Sequence, residues 1–170
     1  MYYKYLKNLS SIIDSTNKFA GHVCSLLVVL MTLNVFLVVV LRYLFGISFI
    51  WMQETYVWMH AYIFMLGAGF TYFNDAHVRI DIIYKSSSPT YRAMVDLIGN
   101  LFLLLPFLYV IWIFSFPFVQ KSWEMSEISR EAGGLRMLYI LKFAILLFAF
   151  LLFIQAISKI ILSILKILNK

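Results

Sequence analysis

The chain has 170 residues, 63% of them hydrophobic and 13% charged, against ~45–50% and ~25% in soluble domains, so lipid has to cover most of its surface. A net charge of +6 would suggest nucleic acid in a soluble protein, but here thirteen of the fourteen Lys and Arg gather just outside the apolar runs or near their ends. They are a topology signal, and nucleic acid is excluded as a partner. The single cysteine, Cys24, permits neither an internal disulfide nor a CxxC pair.

Residues 1–18 read as a separate element. At 100° per residue, Lys4, Lys7, Ser11, Asp14 and Lys18 fall within an arc of about 80°, with Tyr2, Tyr5, Leu6, Leu9, Ile12 and Ile13 opposite. This predicts an amphipathic interfacial helix lying along the bilayer, Lys heads toward anionic headgroups. Phe19 to Leu41 then runs twenty-three residues without a charge, ~34 Å of helix against a hydrocarbon core of ~30 Å. This run is longer than a signal-peptide core and no A-x-A site follows it, so it is expected to stay in the protein.

Further spans are expected at about 51–73, 97–119 and 137–161, giving an all-α integral membrane protein of four transmembrane helices in one domain, 1–170. Lys4, Lys7, Lys18, Arg79, Lys85, Arg92, Lys159, Lys166 and Lys170 lie on one side of that arrangement, and Arg42, Lys121, Arg130 and Arg136 on the other. The excess places both termini in the cytoplasm of a bacterial inner membrane, with 42–50 and 120–136 facing the periplasm. Between spans two and three, His77, Asp81 and Lys85 form a polar stripe, and Ser88-Pro89 reads as an N-cap followed by proline at the first helical position. A cytoplasmic interfacial segment over 77–95, broken or bent before span three, follows. Pro106 should kink span three and Pro117 should loosen its far end.

Glu54 is the most informative polar residue, because a carboxylate opening a span needs water, a proton or a cation. Arg42 ends span one at the same membrane face, so an Arg42–Glu54 ion pair stapling the hairpin is geometrically easy; a proton or cation relay would want the acid deeper. His22, Asn34 and His60 are scattered in depth and suit interhelical hydrogen bonds better than a metal site. Lys142, six residues into span four, is expected to snorkel or to meet a partner subunit. Gly67-Ala68-Gly69 removes side chains over one turn and lets another helix approach. Trp51, Trp58, Trp112 and Trp123 suit an interfacial belt. Neither a nucleotide-binding G-x-x-x-x-G-K-[ST] loop nor a G-x-S-x-G nucleophile is present, so no catalytic residue, metal or cofactor is expected.

Arg42-Tyr43, Gly46, Trp51 and Glu54 together resemble an "RY-x-x-G … W-x-x-E" segment, and Gly67-Ala68 with His77-Val78-Arg79-Ile80-Asp81 a "GA … HVRVD" segment. Both belong to the DctQ-like small membrane subunit of tripartite ATP-independent periplasmic (TRAP) transporters, and the resemblance runs from about residue 10 to 165. It is similar to the sialic-acid branch. Gly133-Gly134, Leu135-Arg136 and Lys142 stand where a proline-containing entry to span four is expected, so contacts of that loop are not carried over. The resemblance implies a small permease subunit that scaffolds a large transport subunit in a stable complex. It also implies that the chain helps to dock a periplasmic substrate-binding protein transiently, during sodium-coupled uptake of an organic acid such as sialic acid. His77, Arg79 and Asp81 would then be a cytoplasmic interfacial motif, and Lys121, Trp123, Glu124, Glu127, Arg130 and Glu131 the candidate docking residues. Two alternatives remain: an autonomous small four-helix transporter, which would need a carboxylate deep in span one, and a small four-span membrane enzyme, which would need a basic cluster such as Arg79, Lys85 and Arg92.

Overall fold

A computed structural model of the chain describes residues 2–77 and 87–168; Arg79, Asp81 and Lys85 lie outside the described residues. The described elements are helical: α1 Tyr2–Phe45, α2 Ile50–Phe73, α3 Pro89–Gly99, a π turn Asn100–Leu104, α4 Leu105–Glu124 and α5 Leu138–Leu168. Three stretches are long and apolar enough to cross a membrane, Tyr3–Phe45, Pro89–Glu124 and Leu138–Leu168. α2 is not among them: its 24 residues would reach ~36 Å, but Gln53, Glu54 and His60 interrupt its apolar run.

The expected boundary near residue 18 is absent. α1 is a single helix of 44 residues, and the reason is a seam that ignores the boundary. Ser10, Ile13, Asn17, Ala20 and Cys24 are buried, and the same steps of three and four continue through Leu27, Met31, Asn34, Val38 and Leu41, all half-buried. One heptad stripe therefore serves both halves of the helix. The charged arc is only partly solvated: Lys4, Lys7, Ser11 and Lys18 are exposed, but Asp14 turns toward α5.

A polar ladder fastens α1 to α5. Ser10 and Ser158 share a hydrogen bond of 2.7 Å between their hydroxyls, and Asp14 accepts from Ser158 Oγ at 2.8 Å and from Gln155 Nε2 at 2.9 Å. Asn17 Nδ2 donates to Gln155 Oε1 at 2.7 Å and reaches the Leu151 carbonyl at 3.4 Å. Gln155, Asn17, Ser10 and Ser158 are among the largest fully buried side chains. α2 closes over this ladder at Gly69, where a Cβ would collide with Asn17 Oδ1 and stand 3.1 Å from Leu151 Cβ. Of the three small residues at 67–69, Gly69 makes the close approach; a Cβ on Gly67 would meet only Cys24 Sγ, at 3.9 Å.

α5 is the hub. It packs against α1, α2, α3 and α4, whereas the α3–α4 rod packs on α5 and its backbone approaches neither α1 nor α2. Ala144, Ala149 and Ala156 on α5 are all but fully buried, small enough to let neighbouring backbones come near. Ser88 caps α3 by accepting from the Tyr91 N–H at 3.3 Å, with Pro89 at the first turn. The break expected before span three is a π turn instead: the Leu105 N–H reaches back five residues to Asn100. That wide turn precedes Pro106, whose ring would clash with the carbonyl four residues earlier in a regular helix. Pro117 lies within α4, and the helix continues past it to Glu124.

The α1–α2–α5 junction generates a test. Gly69→Ala should destabilise the chain by about 1–3 kcal/mol, a small-to-large change in a filled site. Combined with Asn17→Ala it should cost clearly less than the sum of the two single changes. Unfolding of the purified protein in mild detergent measures both; strict additivity would separate Gly69 from Asn17.

Candidate functional site: the loop between α4 and α5

The loop begins with a tight helix stop. Ser126 takes a left-handed φ of 46°, and its N–H bonds the Trp123 carbonyl while the Glu127 N–H bonds that of Ser122, both at 3.0 Å. This pair of bonds is a Schellman closure with serine where glycine is usual. Glu127 is thereby turned back over the bundle. Its Oε2 accepts from Lys142 Nζ at 2.5 Å and from Ser122 Oγ at 2.6 Å, and its carbonyl accepts from the Leu138 N–H at 3.0 Å, where α5 starts. Lys142 also stands 4.1 Å from the centroid of the Phe118 ring. The lysine expected to snorkel or to meet a partner subunit therefore has its partner within the chain.

Glu54 supplies the second fastening. Its Oε1 accepts from the Ser129 hydroxyl, and its Oε2 from the Leu135 N–H at 2.6 Å. Ser129 N–H bonds the Leu135 carbonyl at 3.0 Å, so the carboxylate plugs a ring of loop backbone from the α2 side. Gly134 is needed there, because a Cβ would lie 2.7 Å from Glu54 Oε2 and 2.6 Å from Ser129 Oγ. Arg42 is exposed, and the ion pairs among the described residues are Lys142–Glu127 and Lys159–Asp75. The expected Arg42–Glu54 staple is thus corrected. Glu54 ties α2 to the α4–α5 loop through two charge-assisted hydrogen bonds, from the Ser129 hydroxyl and the Leu135 N–H.

The remaining docking candidates divide. Trp123 leans on Tyr139 and Phe143, with ring centroids 4.7 and 6.1 Å away, and Glu124 accepts from Gln120 at 2.8 Å. Lys121, Arg130 and Glu131 are exposed, with their charges turned outward.

At the opposite end, Asp75 ends α2 with φ 54° and pairs with Lys159 at 2.7 Å. Tyr72 Oη donates to Asn100 Oδ1 at 2.6 Å, crossing from α2 to the π turn. His77 Nε2 lies 3.2 Å from the Ala68 carbonyl. These groups border a cleft of about 810 Å³ with Asp96 and Lys166. Among the described residues no cluster of His, Cys, Asp or Glu could hold a metal ion.

Sequence reasoning singled out Glu54, Glu127 and Lys142 but not how they pair, and it missed the Asp14–Asn17–Gln155–Ser158 ladder. The seven-residue spacing of Ser10, Asn17 and Cys24 on α1 was the available signal.

The architecture is that of a multi-pass membrane protein whose polar groups are spent on holding helices and one loop together. A family model described as the DctQ component of tripartite ATP-independent periplasmic transporters matches residues 31–166, and the chain belongs to that family, a transporter component of the inner membrane. No curated protein and no solved structure matches the chain.

Two outcomes follow. Glu54→Ala leaves the Ser129 hydroxyl and Leu135 N–H without their acceptor, at about 1–3 kcal/mol for each group that stays buried. Limited proteolysis should then cut within 128–136 sooner, whereas Arg42→Gln should leave that rate unchanged. The second concerns acid. The Lys142 hydrogen bond, helped by that of Ser122, holds the Glu127 carboxyl below its ordinary range. A depressed folded value means that the fastening is fully present above the unfolded pKa of ~4.3 and is lost as pH falls through the folded one. Proteolytic opening of the loop should therefore rise below about pH 4, and Lys142→Met should flatten that dependence.

Proposed function

We propose that this chain is the small permease subunit of a TRAP transporter, a four-span scaffold that holds the large transport subunit in the membrane and offers its α4–α5 loop to a periplasmic substrate-binding protein. The observation that carries the reading is the family match over 31–166. It agrees with a described structure in which the buried Ser10, Asn17, Gln155 and Ser158 bond across the α1–α5 interface together with Asp14. α2 counts as the fourth span because it is of spanning length and hairpins directly onto α1 through residues 46–49. The excess of Lys and Arg at the end carrying both termini supports a cytoplasmic position for them and a periplasmic one for 46–49 and 125–137. Uptake of an organic acid such as sialic acid, driven by sodium, is the activity that the motif resemblance supports.

Docking would use the outward charges. Glu127 is engaged with Lys142 and Ser122, so Lys121, Arg130 and Glu131 are the groups left to steer a charged partner, giving specificity and on-rate more than affinity. Purification from native membranes in mild detergent should bring down a larger multi-pass protein; recovery of this chain alone would count against the scaffold. In the reconstituted complex, Arg130→Glu should raise the concentration of binding protein needed for half-maximal uptake without lowering recovery of the complex. For the orientation, a cysteine at Ser126 in a Cys24→Ser background should react with an impermeant thiol reagent on intact spheroplasts, and one at Ser87 should not.

A further inference from the structure

Two polar side chains in the α1–α2 hairpin are left without partners at matching depth. Asn34 lies eleven residues back from Phe45, and His60 ten residues on from Ile50. Asn34 lies eight residues inside Arg42 and His60 six inside Glu54, the charges at that membrane face, so at ~1.5 Å per residue both sit ~9–12 Å inside it, within a ~30 Å hydrocarbon core. Asn34 Oδ1 is buried and accepts no hydrogen bond. His60 is exposed, and among the described residues nothing bonds its ring. Lipid tails can offer an imidazole neither donor nor acceptor, so such a residue within the hydrocarbon core faces protein or water.

The surroundings of His60 decide which. α1 and α5 cover the inner side of α2, leaving Val57, His60 and Phe64 exposed at steps of three and four. That is one outward stripe about two turns long, apolar at both ends and polar in the middle. It does not line the cavities described in this structure, whose walls lie on other segments. The stripe thus shows the bilayer an imidazole that a bilayer solvates poorly, the pattern of a helix completed by another helix.

We infer that the Val57–His60–Phe64 face of α2 is the surface on which the large membrane subunit packs, and that His60 makes a hydrogen bond within the hydrocarbon core to a polar side chain or freed backbone group of a spanning helix of that subunit. This rests on the proposed role as a TRAP small subunit and names where that role is exercised. Val57 and Phe64 would close over the bond from either side and keep lipid away. The α4 face around Phe114, which is 74% exposed and wholly apolar nearby, is by contrast suited to lipid.

A photoreactive benzoylphenylalanine placed singly at Val57, Phe64 or Phe114, with the full complex in native membranes, tests the assignment. Val57 and Phe64 should give a product of this chain joined to a larger membrane protein, and Phe114 should not. If Phe114 forms that product while Val57 and Phe64 do not, the subunit reading stands and the face is wrong. A product of twice the 19.9 kDa chain mass from Val57 and Phe64 would mean that a second copy covers the stripe, and would overturn the proposal. Absence of any larger protein from the unmodified preparation would remove the subunit reading itself, and this inference with it. His60→Leu should reduce recovery of the larger subunit about threefold to tenfold, the range of one interhelical hydrogen bond. His60→Gln, which keeps a donor and an acceptor, should restore most of it, and neither change should alter thermal unfolding of the isolated chain. Equal recovery with His60→Leu would overturn the hydrogen bond.

Discussion

The ladder of Ser10, Asp14 and Asn17 against Gln155 and Ser158 is the constraint on which the remaining packing depends. Within a bilayer, lipid tails are as apolar as leucine, so burying leucine against leucine gives helices little reason to associate. Side-chain hydrogen bonds and close backbone contact must supply it. Here both occur at one place, because Asn17 bonds α5 on one side and fills the space above Gly69 of α2 on the other. Three helices are fixed in register by one amide. The α3–α4 rod is then added to the far side of α5 through a different set of small and apolar contacts, Ala93, Leu108 and Val119 among those buried on it.

Loop 125–137 shows how a connection too polar for the bilayer is kept in one shape. Two carboxylates do it from two directions, Glu127 from within the loop and Glu54 from α2, and each accepts two donors. Both accept charge-assisted hydrogen bonds, Glu127 from its ion-pair partner Lys142 and a hydroxyl, Glu54 from a hydroxyl and a backbone N–H, and these fix orientation as well as proximity. A surface meant to meet a soluble partner benefits from such pre-ordering, since less conformational freedom remains to be lost on docking. The charges left pointing outward, Lys121, Arg130 and Glu131, are then presented from a fixed frame.

Elements whose signal is local were legible in the sequence. Long apolar runs placed α1, α4 and α5 because twenty or so apolar residues have few other stable environments. Ser88-Pro89 marked the start of α3, since a hydroxyl acceptor and a residue lacking an N–H meet the same need at a helix N-terminus. Glu54 drew notice through the cost of a carboxylate at a span's edge. The family was legible too, through residues clustered in short segments.

What only the tertiary structure decided was pairing. The charge nearest Glu54 in the sequence is Arg42, yet its donors come from Ser129 and Leu135, 75 and 81 residues away. Distance along a chain does not order the options once helices have folded back on one another. The change at residue 18 misled for a related reason: composition shifts from polar to apolar there, but the buried seam of α1 follows the heptad and crosses without interruption, meeting α5 at Asn17 and α2 at Cys24. Likewise π turn 100–104 replaced the expected break, the helix widening by one residue ahead of Pro106 while α5 continued to support both halves. Sequence alone determined that these helices enter a membrane, since transfer to lipid depends on each segment's own composition. Which polar groups hold them together depended on geometry among segments, and no single segment carries that.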